Sequence, residues 1–457
     1  MAEQKERLEE QTKEKMMLDA LENGHIDSFR NEFMEMHPYD QAKFFGQLEE
    51  ELRSKVYHYL SPEEMAALFE NLKSEEEEYS DFLSEMSPAY AADMLSEMYA
   101  DDAVDVLNEL DKEQAISYLT IMDKEAAAEI KELLHYEEYT AGSIMTTEYV
   151  AIAANQTVRS AMYILKNEAP EAEIIYYLFV IDEDKKLVGV ISLRDLIVAD
   201  DDTMIHEIMS ERVVAVSVSE DQEEVARKMR DYDFLAMPVV DFQNHLMGII
   251  TIDDIVDVME EEASEDYSKL AGMPDMDHAD KGAFSAAKKR LPWLVILLFL
   301  GMFTASLIGR FEDTLNQKAI LAVFMPLIAG MAGNTGTQAL AVVVRGIATG
   351  DLRTESKWKL IAKEGGTGLL IGLSCGVLVT FVVYFWQNDF YLGLLVGTAI
   401  IATLFVATLA GSLIPLIMHK MNIDPAVASG PFITTINDII SVLIYFGMAT
   451  LFISYLK

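Results

Sequence analysis

From Leu291 onward the chain carries five apolar stretches, at 291–309, 320–347, 366–386, 392–418 and 431–456. A helix needs about 20 apolar residues to cross the hydrocarbon of a bilayer. Each stretch supplies roughly that, and soluble helices so long and so apolar are rare, so five membrane spans are predicted. The connecting segments orient them. Lys288, Lys289 and Arg290 precede the first span. Arg345, Arg353, Lys357, Lys359 and Lys363 lie at or after the end of the second, and Lys420 follows the fourth. On the other side Arg310 and Lys318 are diluted by Glu312 and Asp313, and 388–390 has no basic residue. Basic residues favour the cytosol, which places the N-terminal half inside and Lys457 outside. The first residues, charged and without an apolar core, do not read as a signal peptide. A multi-pass protein of the cell membrane is expected.

The charge is unevenly divided. The net charge of −41 splits into +5 over residues 281–457 and −46 over residues 1–280. So acidic a half disfavours nucleic acid and anionic lipid headgroups and attracts cations, though acid also keeps soluble domains soluble. Cys375 is the one cysteine, and the eight His show no metal-ligand spacing. Neither a disulfide framework nor a transition-metal centre is expected. There is no Walker A motif and no nucleophile–base pair in context, so an enzyme is not expected.

Before residue 140, acidic or proline starts recur ahead of apolar residues at helical spacing, as at Pro62, Pro88 and Asp101. These read as capped short helices stacked into a solenoid-like unit. Residues 141–262 hold a duplication. Ile144-Met145 recurs at Ile208-Met209, and the run from Leu187 to Asp195 recurs from Leu246 to Asp254. The offsets, 64 and 59, leave five extra residues in the first copy, placed at about 167–173. Each copy reads as a helix, two strands meeting at a turn, and a closing helix. The Gly, Ser/Thr and Asp spacing resembles paired CBS domains, regulatory modules that often bind adenine nucleotides. Beyond Asp257 an acidic helical stretch leads to the membrane half.

Glycines 368, 372 and 376 in the third span, with Gly393 and Gly397 in the fourth, are a packing seam rather than a phosphate loop. Two segments break the apolar rule. One is 332–338, with Gly333, Asn334, Gly336 and Thr337. The other is 424–438, ending on Asp438, which lies about 10 Å past Pro431 along a helix. Polar groups at this depth are costly unless they face protein or water. Asp438 is the only acidic residue expected within the five spans. Its alternatives are an interhelical hydrogen bond, a neutral buried acid, or a cation site on a conduction path, with Thr434 on the same face. Carboxylate, hydroxyl, amide and carbonyl oxygens suit Mg²⁺, a hard cation slow to dehydrate.

These motifs, Gly-Asn-Thr-Gly-x-Gln at 333–338 and Asp-Pro-Ala…Ser-Gly-Pro…Asp at 424–438, resemble those of the MgtE family of magnesium channels. The resemblance spans essentially the whole chain. It implies an acidic, all-α superhelical N domain (1–139), an α/β tandem CBS pair (140–202 and 203–262), a connecting plug-type helix and linker (263–286) and an all-α five-helix pore domain (287–457). It implies a homodimer in membrane lipid with the pore on its two-fold axis, lined by Asp438, Thr434, Asn334 and Thr337. It further implies Mg²⁺ influx closed by intracellular Mg²⁺ at acidic faces, where Asp221, Glu223, Asp233, Asp254, Asp257, Glu262, Glu265 and Asp266 match by position. Asp101, Asp102 and Asp105 are the N-domain candidates. Some relatives bind ATP in the CBS pair, and Tyr177, Arg194 and Asp195 match in type. The competing readings are a Na⁺-coupled Mg²⁺ exchanger and a nonconducting CBS-domain membrane sensor.

Overall fold

The computed structural model describes residues 2–72, 76–170, 172–273, 283–350, 357–421 and 423–455. Arg353, Lys457 and the linker positions 274–282 lie outside the described residues. The chain divides into two compact units, 1–259 and 260–457.

The first unit opens with ten described helices, α1 (Ala2–Asn23) through α10 (Lys124–Leu133). Local chemistry sets their starts. At α5 (Pro62–Phe69) the Ser61 hydroxyl accepts from Glu64 N–H, and Glu64 returns the bond to Ser61 N–H, with Pro62 at the first helical position. At α7 (Pro88–Glu97) the Ser87 hydroxyl likewise accepts from Tyr90 N–H, with Pro88 at the first helical position. Apolar residues one turn apart on these helices meet in a core running from Leu21 and Phe45 through Leu68 and Leu95 to Ile130. That core continues without a break into Val225, Met237 and Ile250.

The duplication folds as two three-stranded sheets. Strands β1 (Tyr149–Ala153), β2 (Ile174–Ile181) and β3 (Leu187–Ser192) form one, with α11 (Val158–Glu168) and α12 (Leu193–Val198) on it. Between the copies lies α13 (Ile205–Ile208). Strands β4 (Val216–Ser217), β5 (Ala236–Val240) and β6 (Leu246–Thr251) form the other, with α14 (Gln222–Tyr232) and α15 (Ile252–Ala271). In each the first strand is parallel to the second and the second antiparallel to the third. The short parallel strands β1 and β4 were not expected, because five and two residues carry too little alternation to read. The extra residues of the first copy fall where β2 starts early and its approach from α11 lengthens, overlapping the expected position and extending past it.

The second unit takes the end of α15 and the five helices long and apolar enough to cross a membrane among the described residues. These are α16 (Ala283–Gly309), α18 (Leu321–Ala348), α19 (Lys357–Gln387), α20 (Phe390–Lys420) and α21 (Gly430–Phe452), with a short α17 (Glu312–Gln317) between the first two. The glycine seam is where α19 meets α20: a Cβ on Gly376 would stand 2.6 Å from the Gly397 carbonyl oxygen. Helices α18, α20 and α21 share a core of Phe324, Ile328, Val396, Ile400, Leu404 and Phe446. One expectation is corrected. Lys and Glu are good helix formers, so α19 begins before its apolar stretch and contains a second acid, Glu364, only 7% exposed.

Candidate cation sites

In the second unit the two polar segments meet. Helix α18 runs unbroken through 333–338, and Gly333 and Gly336 let α21 approach it closely. A Cβ on Gly333 would fall 2.7 Å from Thr434 Cγ2, and one on Gly336 1.8 Å from Asn437 Nδ2. On the other face of this crossing, a Cβ on Gly411 of α20 would stand 2.2 Å from the Gly336 carbonyl oxygen. The Thr337 and Thr434 hydroxyls are 3.3 Å apart. Asn437, fully buried, donates from Nδ2 to the Ala332 carbonyl at 3.4 Å, while its Oδ1 has no partner. Sequence reasoning passed over Asn437 because an amide beside an aspartate carries no spacing of its own.

Asp438 sits one turn beyond Thr434 and lines a cavity of about 250 Å³ bounded by Thr304 and Ile308 of α16, Met325 and Ala329 of α18, and Ser441 of α21. Among the described residues nothing forms an ion pair with it. Asn334 and Gln338, four residues apart on α18, are exposed on the outside of the unit. The structure therefore brings Asp438, Thr434 and Thr337 to one seam and turns Asn334 outward from it.

In the first unit the acids converge at the start of α8 (Ala100–Asn108). Glu70 accepts from Tyr99 N–H at 3.1 Å, and Glu148 accepts from Ala100 N–H at 3.1 Å. Two carboxylates thus cap one helix N-terminus, where the dipole favours negative charge, and Asp101 and Asp102 fill its first turn. Opposite stand Glu173, Asp253 and Asp254, each offering an oxygen within 4.8 Å of the others. Thr251 Oγ1 lies 2.6 Å from Asp253 and 2.7 Å from Asp254. Asp101 Oδ1 and Glu173 Oε2 are buried without a partner.

Crowding these carboxylates out of water penalises their charged forms. Burial, with Glu70 and Asp254 nearby, pushes Asp102 up to about 8. Burial and Asp254 push Glu173 up to about 7. Burial moves Asp254 up to about 6 and raises Glu70. Asp101 is driven well above the carboxylate range by burial and Asp102. The set is all hard oxygen, short of counter-charge, and suits a divalent cation such as Mg²⁺.

Of the sensor residues expected, Asp101, Asp102 and Asp254 meet here, and Asp105 contributes charge beside Asp102. Asp257 lies one turn beyond Asp254 on α15. Three others are placed elsewhere. Asp221 is the N-cap of α14, accepting from Glu223 and Glu224 N–H. Glu223 stands 3.7 Å from Arg227, and Asp233 ends α14 in the left-handed region at φ 54. Capping chemistry accounts for the position of the acid at the start of that helix. Glu262, Glu265 and Asp266 lie on the part of α15 in the second unit. Glu70, Glu148, Glu173 and Asp253 were missed. Two had a visible signal: Glu173 falls within the five-residue insertion, and Asp253 adjoins the repeated Asp254.

The nucleotide candidates gather around one turn. Tyr177 on β2 pairs in register with Ser192 on β3, whose hydroxyl donates to Asp195 at 2.7 Å and accepts from its N–H. Arg194, between them in sequence, is exposed.

Comparison with known proteins agrees with this organisation. Residues 325–448 match the MgtE family described as a divalent cation transporter, 36–139 the MgtE intracellular N domain, and 141–202 and 205–261 the CBS domain. The magnesium transporter MgtE of Enterococcus faecalis is 56% identical over 96% of this chain and 97% of its own. That of Thermus thermophilus is 38% identical over 95% and 97%. The crystal structure of the soluble part of a magnesium transporter, 55% identical, superimposes with a TM-score of 0.54 over 55% of this chain and 99% of its own. The cytosolic domain of the Mg²⁺ channel MgtE in complex with ATP, 39% identical, does so with a TM-score of 0.51 over 54% and 99%. With relatives this similar over nearly its full length, the chain belongs to the MgtE family.

Proposed function

We propose that the protein conducts Mg²⁺ passively into the cytosol, and that intracellular Mg²⁺ closes it by filling the carboxylate cluster of the first unit. The observation that carries this reading is Asp438, a carboxylate in a membrane-spanning helix with no ion-pair partner among the described residues, lining a cavity one helical turn beyond the Thr434 that meets Thr337. An acid kept at that depth is a functional group by default. Asn334 and Gln338 point out of an apolar helix, which is costly against lipid. That favours a homodimer in which this face borders a shared, wet path. The N-terminus is then cytoplasmic and the C-terminus extracytoplasmic, as the basic loops require, with domain limits near residues 139, 202, 262 and 286.

The closing step follows from the charge. Acids held together without metal repel one another, and a divalent cation binding only the gathered arrangement shifts the equilibrium toward it by its differential affinity. Asp257, Glu262, Glu265 and Asp266 extend the acid along α15. ATP at Tyr177, Arg194 and Asp195 is favoured by the ATP-bound cytosolic relative.

The test is Mg²⁺ flux into Na⁺-free liposomes, measured with an internal dye, for wild type and Asp438→Ala. Flux in the wild type that is lost in the variant supports the reading; equal flux in both removes Asp438 from the path. Buried Glu364 keeps the exchanger as a second reading, since it supplies another acid for a coupling ion. Flux that requires a Na⁺ gradient would establish it.

A further inference from the structure

Helix α15 joins the cytosolic half of the chain to the membrane half, and its last turn is fastened within the second unit by two devices. The first is ionic. Lys269 Nζ lies 2.6 Å from Asp424 Oδ2 and also pairs with Glu265, one turn back on its own helix. Asp424 is itself doubly engaged, because its Oδ1 accepts from Ala426 N–H at 2.8 Å and so caps the 3-10 turn Pro425–Val427 that leads into α21. The second is apolar. Leu270 packs against Leu340, Ala426, Ala428 and Ile433. Gly272 ends the helix at φ +75, with Met273 N–H donating back to the Ser268 carbonyl at 2.9 Å. The Trp293 indole covers that glycine so closely that a Cβ would fall 2.5 Å from Nε1. Trp293 also lies 6.3 Å, ring to ring, from Phe432 in the first turn of α21.

We propose that Lys269 is a positioning residue of the gate: its ammonium clamps the end of α15 onto Asp424, so that displacement of α15 is delivered to the entrance of α21, two turns before Asp438. A lysine suits the task because a point charge on a flexible stem can hold two carboxylates from different elements at once. Asp266, beside the same pair, shows how acidic the joint is, since burial and Asp424 push it up to about 6 even with Lys269 opposing them. The inference rests on closure by cytosolic Mg²⁺, because that is the signal the joint would carry.

The test uses full-length protein in liposomes. Flux is measured at graded Mg²⁺ on the face bearing the N-terminal half, for wild type, Lys269→Met and Lys269→Arg. In parallel, Trp293 emission is read in a Trp358→Phe, Trp386→Phe background. Lys269→Met is expected to raise the Mg²⁺ needed for half-closure about fivefold or more, with flux at low Mg²⁺ retained, and to shift Trp293 emission to the red. Lys269→Arg, which keeps the charge, is expected to retain wild-type values of both. An unchanged midpoint in Lys269→Met, or the same shift in Lys269→Arg, overturns the proposal. If wild-type flux ignores Mg²⁺ altogether, it is the closure reading that fails. The joint itself is then decided by emission: a red shift in Lys269→Met that is absent in Lys269→Arg keeps it, and equal emission in all three removes it.

Discussion

Thr337 and Thr434 meet with their hydroxyl oxygens 3.3 Å apart, tying the middle of α18 to the first turns of α21 one turn before Asp438. A hydrogen bond of this kind contributes about 1 kcal/mol net, and it fixes the turn of α21 that carries Asp438 against α18. Thr434→Val keeps the shape and deletes the hydroxyl. Mg²⁺ flux is expected to fall about fivefold with a normal size-exclusion profile, whereas Thr434→Ser should retain most of it. Liposome flux normalised to reconstituted protein checks both.

Gly336 and Gly411 make a different contact, backbone against backbone. The atom a new Cβ would strike at position 411 is a carbonyl oxygen, which no rotamer change can move aside. Gly411→Ala is therefore expected to lower stability by about 1–3 kcal/mol or more and to reduce the yield of monodisperse protein. Gly330→Ala on α18 is the control, because a Cβ there meets nothing within 4 Å. Thermal unfolding of the two variants in detergent separates them.

In the N-terminal helices, Arg53 Nε donates to Glu85 at 3.0 Å, the same carboxylate accepts from the Tyr57 hydroxyl at 2.7 Å, and the guanidinium lies 4.9 Å over the Phe82 ring. Removing the arginine strands a mostly buried acid. Arg53→Met is expected to cost about 2–3 kcal/mol, while Arg53→Met with Glu85→Gln recovers part of it. A double-mutant cycle in thermal stability measures the difference.

How far the sequence could be read follows from the kind of signal each feature leaves. The five membrane helices and the repeat were legible because apolarity over twenty residues and a self-similar strand pattern are properties of local sequence. Asp438 and Thr434 were legible because polar residues stand out against an apolar run. The cluster at α8 was only half legible. Glu70, Glu148 and Glu173 come from three separate segments, and in so acidic a half one glutamate looks like another until folding decides which lose their water. Asp221 and Asp233 stand apart from this cluster at the two ends of α14, and the sequence could not show that, since helix ends and metal sites select the same acids. Glu364 was hidden because helices outrun their apolar stretches.

The cluster makes a prediction whose sign can be worked out. Asp102, Glu173 and Asp254 have folded values of about 8, 7 and 6, all above the ordinary carboxylate values near 4. A raised carboxyl binds its proton more tightly in the folded protein than in the unfolded chain. Its stabilising contribution is thus complete below about pH 4 and is lost as pH rises through the folded value. Metal-free protein should lose thermal stability between about pH 6 and 8 for this reason. A divalent cation replaces the protons, so saturating Mg²⁺ should flatten that slope and raise the melting temperature most at pH 8. Asp102→Asn removes the group with the highest of these three values. Without metal it should be more stable than wild type at pH 8, where the wild-type acid is forced to ionise in the cluster, show a shallower pH slope, and need several-fold more Mg²⁺ for the same rise in melting temperature. Differential scanning fluorimetry of the full-length protein at pH 6 and 8, with and without Mg²⁺, distinguishes this from a solvated acidic face. Such a face would show no slope to flatten, and Asp102→Asn would then change nothing.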